Sequence, residues 1–171
     1  MGRRTFAIAG AALALALAGC GSSSSIELAP SAGATEVPLP KTPKVPADLS
    51  TKPAVNVSPS SCSTKQLVKK DLIAGTGQTA LVGQTVTVNY VGVLCKTGKE
   101  FDSSWKRHQL FTTPLSTGQV IPGWVQGIPG MKVGGRRELI IPASLAYGKT
   151  GNASIPPNSP LVFVVDLISV S

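Results

Sequence analysis

The chain of 171 residues has one histidine, three cysteines and eight aromatic side chains, and each scarcity removes a class of chemistry. The lone histidine, His108, stands in a polar loop between Arg107 and Gln109, and no Gly-x-Ser-x-Gly elbow is present, so serine-hydrolase chemistry is not expected. One histidine and two widely separated thiols, Cys62 and Cys95, do not make a metal site either. The longest apolar run, from about Phe6 to Ala18, is shorter than the roughly 20 residues that a permanent membrane-spanning helix requires. Acidic residues number eight against sixteen basic ones, a net charge of +8. Lys69, Lys70, Lys96, Lys99, Lys106, Arg107, Lys132, Arg136, Arg137 and others are nevertheless scattered, without dense runs or interleaved aromatics, which reads as a solvated surface and not as a nucleic-acid groove.

The distribution of what is present divides the chain. Seven of the fourteen prolines fall between Pro30 and Pro59, and seven of the eight aromatics fall between Tyr90 and Phe163, so only the back half can build a core. Residues 1–19 combine Arg3-Arg4, the apolar run and small residues, the architecture of an export signal. Leu17-Ala18-Gly19-Cys20 resembles a bacterial lipobox, which makes Cys20 the expected lipidated first residue of the mature chain. The expected location is therefore outside the cell membrane or on its periplasmic side, by an export route that the two arginines leave open. Residues 20–61 are rich in Ser, Pro, Ala and Thr and read as an extended, disordered tether. With Cys20 given to lipid, Cys62 and Cys95 form an even pair in an oxidising compartment, and a disulfide between them is the hypothesis.

In residues 62–171, Val86, Val88 and Tyr90 alternate with Thr85, Thr87 and Asn89, the pattern of a strand buried on one face. Further strands are expected at 67–73, 109–115, 136–141 and 161–169. One short helix fits, at 123–128, opened by Pro122 and stopped by Pro129. About five strands and one short helix imply an α+β fold, an antiparallel sheet wrapped on that helix. Two other motifs fail on context: 143–150 imitates a phosphate-binding loop and 75–80 a dinucleotide fingerprint, but neither is followed by a helix.

Seven segments together carry a family resemblance: Val86-Thr87-Val88-Asn89-Tyr90-Val91-Gly92; Gly98-Lys99-Glu100-Phe101-Asp102-Ser103-Ser104; Val120-Ile121-Pro122-Gly123-Trp124; Gly127-Ile128-Pro129-Gly130-Met131-Lys132-Val133-Gly134; Ala146-Tyr147-Gly148; Ile155-Pro156-Pro157-Asn158; and Leu161-Val162-Phe163. In this order and spacing the chain resembles FKBP-type peptidyl-prolyl cis-trans isomerases. The resemblance implies catalytic roles for Tyr90, Phe101, Asp102, Trp124, Tyr147 and Phe163, with Trp124 as the floor of a proline pocket. It adds Phe111, Val120, Ile121 and Ile155 as substrate-binding residues, the Ile121 amide holding a substrate carbonyl. Proline-containing polypeptides are the implied partners and FKBP-type macrolides the implied ligands, with a monomeric domain, no cofactor and no metal. Thr113, Leu145 and Asn152 depart from common family choices around this pocket.

Such an inventory suits bond rotation. Turning an X-Pro bond crosses a barrier of about 20 kcal/mol without breaking a covalent bond, so neither nucleophile nor metal is needed. A second reading keeps the pocket as a peptide-binding or chaperone module with little turnover, which the altered residues around it would permit.

Overall fold

The computed structural model describes residues 49–171. The expected signal peptide at 1–19, the lipidation site Cys20 and the tether as far as residue 48 lie outside the described residues. The sheet has six strands: β1 (Val68–Ile73), β2 (Thr85–Leu94), β3 (Glu100–Ser103), β4 (Phe111–Pro114), β5 (Arg136–Ile141) and β6 (Leu161–Val170). Among the described residues there is one α-helix, α1 (Pro122–Gly127). All named strand pairs are antiparallel, in the order β1-β5-β6-β2-β3, with β4 also pairing β2. The α+β expectation is met with one more strand than the periodicity suggests. β3 has four residues and follows a Thr-Gly-Lys turn, too short a stretch for alternation to announce it.

The long strands β2 and β6 pair from Val86↔Val170 to Leu94↔Leu161 and form the centre of the sheet. Val86, Val88, Tyr90, Leu161, Phe163, Val165 and Leu167 face one core with Trp124, Ile128, Leu139 and Ile141. The opposite face holds a second cluster, Val91, Val93, Cys95, Ile140 and Val162. One-face burial therefore describes only the start of β2. From Asn89 to Val93 every residue is buried, because both sheet faces are covered there.

Helix α1 lies directly on β5. Side chains at Gly127 or Gly123 would collide with Leu139 or Ile141, so these glycines set the close approach that brings Trp124 down onto the sheet. Arg137 secures the same junction. Its guanidinium donates to the Gly127 carbonyl at 2.9 Å, at the helix C-terminus, and to both carboxylate oxygens of Asp71 on β1 at 2.6 and 3.0 Å. On the other face, Arg136 donates from Nε and Nη2 to Asp166, which is fully buried, at 2.5 and 2.8 Å.

Residues 49–61 correct the tether boundary. Val55 and Val57 pack on the second cluster, Lys52 Nζ reaches Glu100 Oε2 at 2.7 Å, and the Thr51 carbonyl accepts from Arg136 Nη2 at 3.0 Å. Composition averaged over forty residues conceals a short Val-x-Val alternation, and that alternation is what docks. Cys62 is bonded to Cys95, with 5.5 Å between their Cα atoms.

The Arg136–Asp166 pair yields a prediction for the fold. Asp166→Ala leaves a guanidinium in the sheet without its counter-charge and should lower unfolding free energy by about 3–5 kcal/mol in a denaturant titration. A loss below about 1 kcal/mol would mean that water replaces the carboxylate.

Candidate functional site

An open cavity of about 380 Å³ lies between α1, the sheet and the loop that precedes the helix. Its lining is Tyr90 from β2, Phe101 and Asp102 from β3, Phe111 from β4, Val120 and Ile121 before α1, Trp124 in α1, Phe163 from β6, and Arg107, Gln119 and Tyr147 from loops. Five stretches of sequence, at 90, 101–111, 119–124, 147 and 163, thus converge on one apolar concavity of the size usual for small-ligand sites.

Trp124 is the centre of this lining. Tyr90 and Phe163 meet it edge to face at centroid distances of 5.2 and 5.4 Å, and Phe111 at 6.1 Å. Phe101 stands edge-on to Phe163 at 5.6 Å. Such T-shaped contacts bring positive ring edges onto negative faces, so the rings brace one another while leaving space between them. Gly92 is part of the brace, since a Cβ there would lie 2.7 Å from Phe163 Cε1 and 2.8 Å from Phe101 Cζ. The Trp124 indole Nε1 is buried and without a hydrogen-bond partner among the described residues.

The polar side of the cavity is one network. The Tyr90 hydroxyl donates to Asp102 Oδ2 at 2.5 Å and accepts from Arg107 Nη2 at 2.7 Å. Arg107 Nη1 also pairs with Asp102 Oδ1, which accepts from the Ser103 amide at 2.8 Å. The Arg107 guanidinium lies 5.6 Å from the centroid of the Tyr90 ring. Asp102 is thereby held at the cavity edge, with its carboxylate oxygens already engaged. Burial and the bond to Asp102 push the Tyr90 phenol up to about 12. Burial, with the Asp102 charge second, also raises Tyr147.

Of the ten site residues that the sequence implies, nine line this cavity and Ile155 does not. Ile155 is 2% exposed and belongs to the core cluster. The turn at 152–155, built by Asn152 Oδ1 accepting from the Ser154 and Ile155 amides, turns that side chain inward. Two lining residues escape sequence reasoning, Gln119 and Arg107. Arg107 reads as one more surface cation; the available signal is its position five residues after Asp102, across a turn that returns it to β2. Thr113, one of the departures from family pattern, is buried in β4 opposite Val86 and is not part of the lining, and neither is Leu145. The stretches that imitate nucleotide motifs are a 3-10 turn at Ala143–Leu145 with following turns and an irregular link between β1 and β2. Among the described residues, no group of three or more His, Cys, Asp or Glu is placed to hold a metal ion.

The fold and cavity define a class: an α+β domain whose aromatic pocket sits where a short helix crosses an antiparallel sheet. Residues 77–168 match the family model for FKBP-type peptidyl-prolyl cis-trans isomerase. An FK506-binding protein of Streptomyces anulatus is 56% identical over 106 residues, covering 61% of this chain and 86% of the relative. FkpA of Escherichia coli, an isomerase of the same type, is 46% identical over 108 residues, covering 63% of this chain and 39% of FkpA. Among solved structures, the crystal structure of FkpA aligns with a TM-score of 0.58 at 41% identity, over 72% of this chain and 55% of that one. AtFKBP13 aligns with a TM-score of 0.57 at 40% identity, over 67% and 97%. The chain belongs to the FKBP-type peptidyl-prolyl cis-trans isomerase family. Its activity is the cis-trans isomerisation of X-Pro bonds, and the partners of the family are proline-containing peptides.

The tyrosine environment is testable by alkaline titration. Each phenol is favoured in its neutral form, so Tyr90 contributes stability that is complete below the ordinary value of 10.0 and is lost as pH rises through about 12. The folded protein has only two tyrosines. It should show little phenolate absorbance at pH 10, where a free tyrosine is half ionised, and Tyr90→Phe should remove the later step. Two ordinary titrations near pH 10 would contradict this picture.

Proposed function

We propose that the cavity around Trp124 is the active site, and that the chain is an exported lipoprotein, anchored through Cys20, which isomerises X-Pro bonds in proteins beyond the membrane. The observation that carries the first part is the convergence of nine implied site residues on one apolar concavity. The proline ring rests on Trp124, with Tyr90, Phe101, Phe111 and Phe163 as walls and Val120 and Ile121 closing the side beside the helix. Ile121 precedes α1 as its N-cap residue, so its amide is not consumed by helix hydrogen bonding and can donate to the substrate carbonyl.

Catalysis follows from differential binding. A planar X-Pro amide has larger charge separation than a twisted one, and water stabilises the planar form by solvating its carbonyl. An apolar pocket removes that solvation and lowers the relative cost of the twist. Each tenfold of acceleration requires only about 1.4 kcal/mol of such preference. Asp102, Tyr90 and Arg107 form a fixed polar edge that orients the twisting carbonyl without transferring a proton. One chain suffices for the reaction in this reading, and we propose that the domain acts as a monomer. Macrolides of the FK506 type are proposed to compete for the same cavity, by analogy with the named binding of the Streptomyces relative.

The deciding experiment is a protease-free isomerisation assay on the intact protein with X-Pro tetrapeptides. Phe101→Ala, which deletes one wall, should reduce kcat/KM by about 10- to 100-fold, or about 1.4–2.8 kcal/mol of transition-state stabilisation, while near-UV dichroism stays native. Asp102→Val should cost about tenfold on the same scale, having cut the polar edge but left the rings. Full activity in Phe101→Ala would move the reaction to another site; peptide binding without acceleration by the wild type would favour the binding-module reading.

Anchoring has its own test. Cys20→Ser in the full-length chain removes the lipid attachment point, and with it the roughly 0.8 kcal/mol of membrane affinity per buried methylene. The protein should move from the membrane pellet to the soluble fraction. Persistence in the pellet after a carbonate wash would refute lipid anchoring at Cys20.

A further inference from the structure

The second face of the sheet is covered by a segment that composition assigns to a passive tether. Three of its contacts reach β3 or the turn that leads into it. Cys62 is bonded to Cys95, the residue directly after β2. Val57 Cγ2 lies 3.4 Å from where a Cβ on Gly98 would stand, in the turn between β2 and β3. Lys52 holds Glu100 Oε2 at 2.7 Å while Lys106 lies 3.0 Å from Oε1. Glu100 is the first residue of β3, and the next two, Phe101 and Asp102, line the cavity.

The backbone of β3 is paired on one side only. It is an edge strand of four residues, paired only with β2 through Val91↔Ser103, Gly92↔Asp102 and Val93↔Glu100, with a register shift between Gly92 and Val93. Short edge strands open at low free-energy cost compared with the centre of a sheet. Glu100 pairs with Val93 of the second cluster, and the register shift leaves Phe101 unpaired beside Asp102 on the cavity side, so a grip on Glu100 from the outer face fixes the backbone from which Phe101 projects. Beside Lys52 the Thr51 carbonyl accepts from Arg136 Nη2, which ties the segment to β5, an inner strand of the sheet.

We propose that residues 51–62 form a covalently fastened strap that positions Phe101 and Asp102 for isomerisation, with Lys52 and Val57 as positioning residues. This inference rests on the cavity's being the active site. A pocket that works by differential binding is sensitive to displacement of its walls, and a shift of about 1 Å far from the chemistry is enough to lower turnover severely. The strap thereby makes the N-terminal segment part of the catalytic domain.

The test uses the intact chain in two forms, Lys52→Ala with Val57→Ser, and Cys62→Ser with Cys95→Ser. Each is assayed below its melting temperature for kcat/KM and for amide hydrogen exchange in residues 51–62 and 100–103. The expected result is faster exchange in both stretches together with a three- to tenfold fall in kcat/KM. Lys52→Arg with Val57→Ile should restore both, which a general loss of stability would not permit. Lys52→Ala alone, a change to a partly exposed side chain, serves if a double variant fails to fold, with a smaller change in the same direction.

The proposal is overturned if residues 51–62 exchange freely while kcat/KM is unchanged. It is equally overturned if activity falls with exchange at 100–103 unaltered, or if neither variant releases the segment. Phe101→Ala distinguishes the two layers: loss of activity there with full activity in strap variants sinks the strap alone, whereas full activity in Phe101→Ala sinks the active-site assignment beneath it.

Discussion

The pairing of β2 with β6 is the constraint on which the rest of this domain depends. Two ten-residue strands run antiparallel at the centre of the sheet, and each carries a pocket aromatic on its inner face, Tyr90 on one and Phe163 on the other. Their register sets the separation of those rings, and Trp124 fills the space between them. β3 and β4 both attach to β2, which brings Phe101, Asp102 and Phe111 to the same side. A slip of one residue would turn Tyr90 to the opposite face and abolish the cavity.

The second constraint is the way α1 reaches the sheet. A six-residue helix has little intrinsic stability, and here it is supported from outside. Pro122 sets the first turn, Gly123 and Gly127 permit contact with β5, and Arg137 donates to the Gly127 carbonyl while pairing with Asp71 on the edge strand. The consequence for function is a rigid floor. Trp124 cannot retreat without lifting the helix from Leu139 and Ile141, so a proline ring meets a preformed surface and the cost of ordering it is already met by folding.

The polar edge shows how a buried-looking inventory becomes a selective one. Tyr90 would be simple core filler were its hydroxyl not tied to Asp102 and Arg107. With those bonds it is both wall and hydrogen-bonded edge, and Asp102 stays at the mouth without being buried alone. Arg107 comes from a loop whose turn includes His108 in a left-handed conformation, φ 51°, so the geometry of that loop decides where the cation stands.

Much of this was legible in the residues themselves. Period-two alternation announced β2, Pro122 and Pro129 bracketed the helix, and the order of seven short segments pointed to nine of the residues that line the cavity, because local chemistry and spacing are written directly in the chain. Tertiary structure decided the remainder. β3 is too short to show a period, and it exists because β2 offers it a partner. Ile155 lies in the core because a turn closed by Asn152 points it inward, a choice of direction that residue type does not encode. Arg107 became part of the site through contacts with Tyr90 seventeen positions away. The tether boundary moved to before residue 49 because Val55 and Val57 find an apolar face made by three separate strands, and no stretch of sequence displays a surface that only folding assembles.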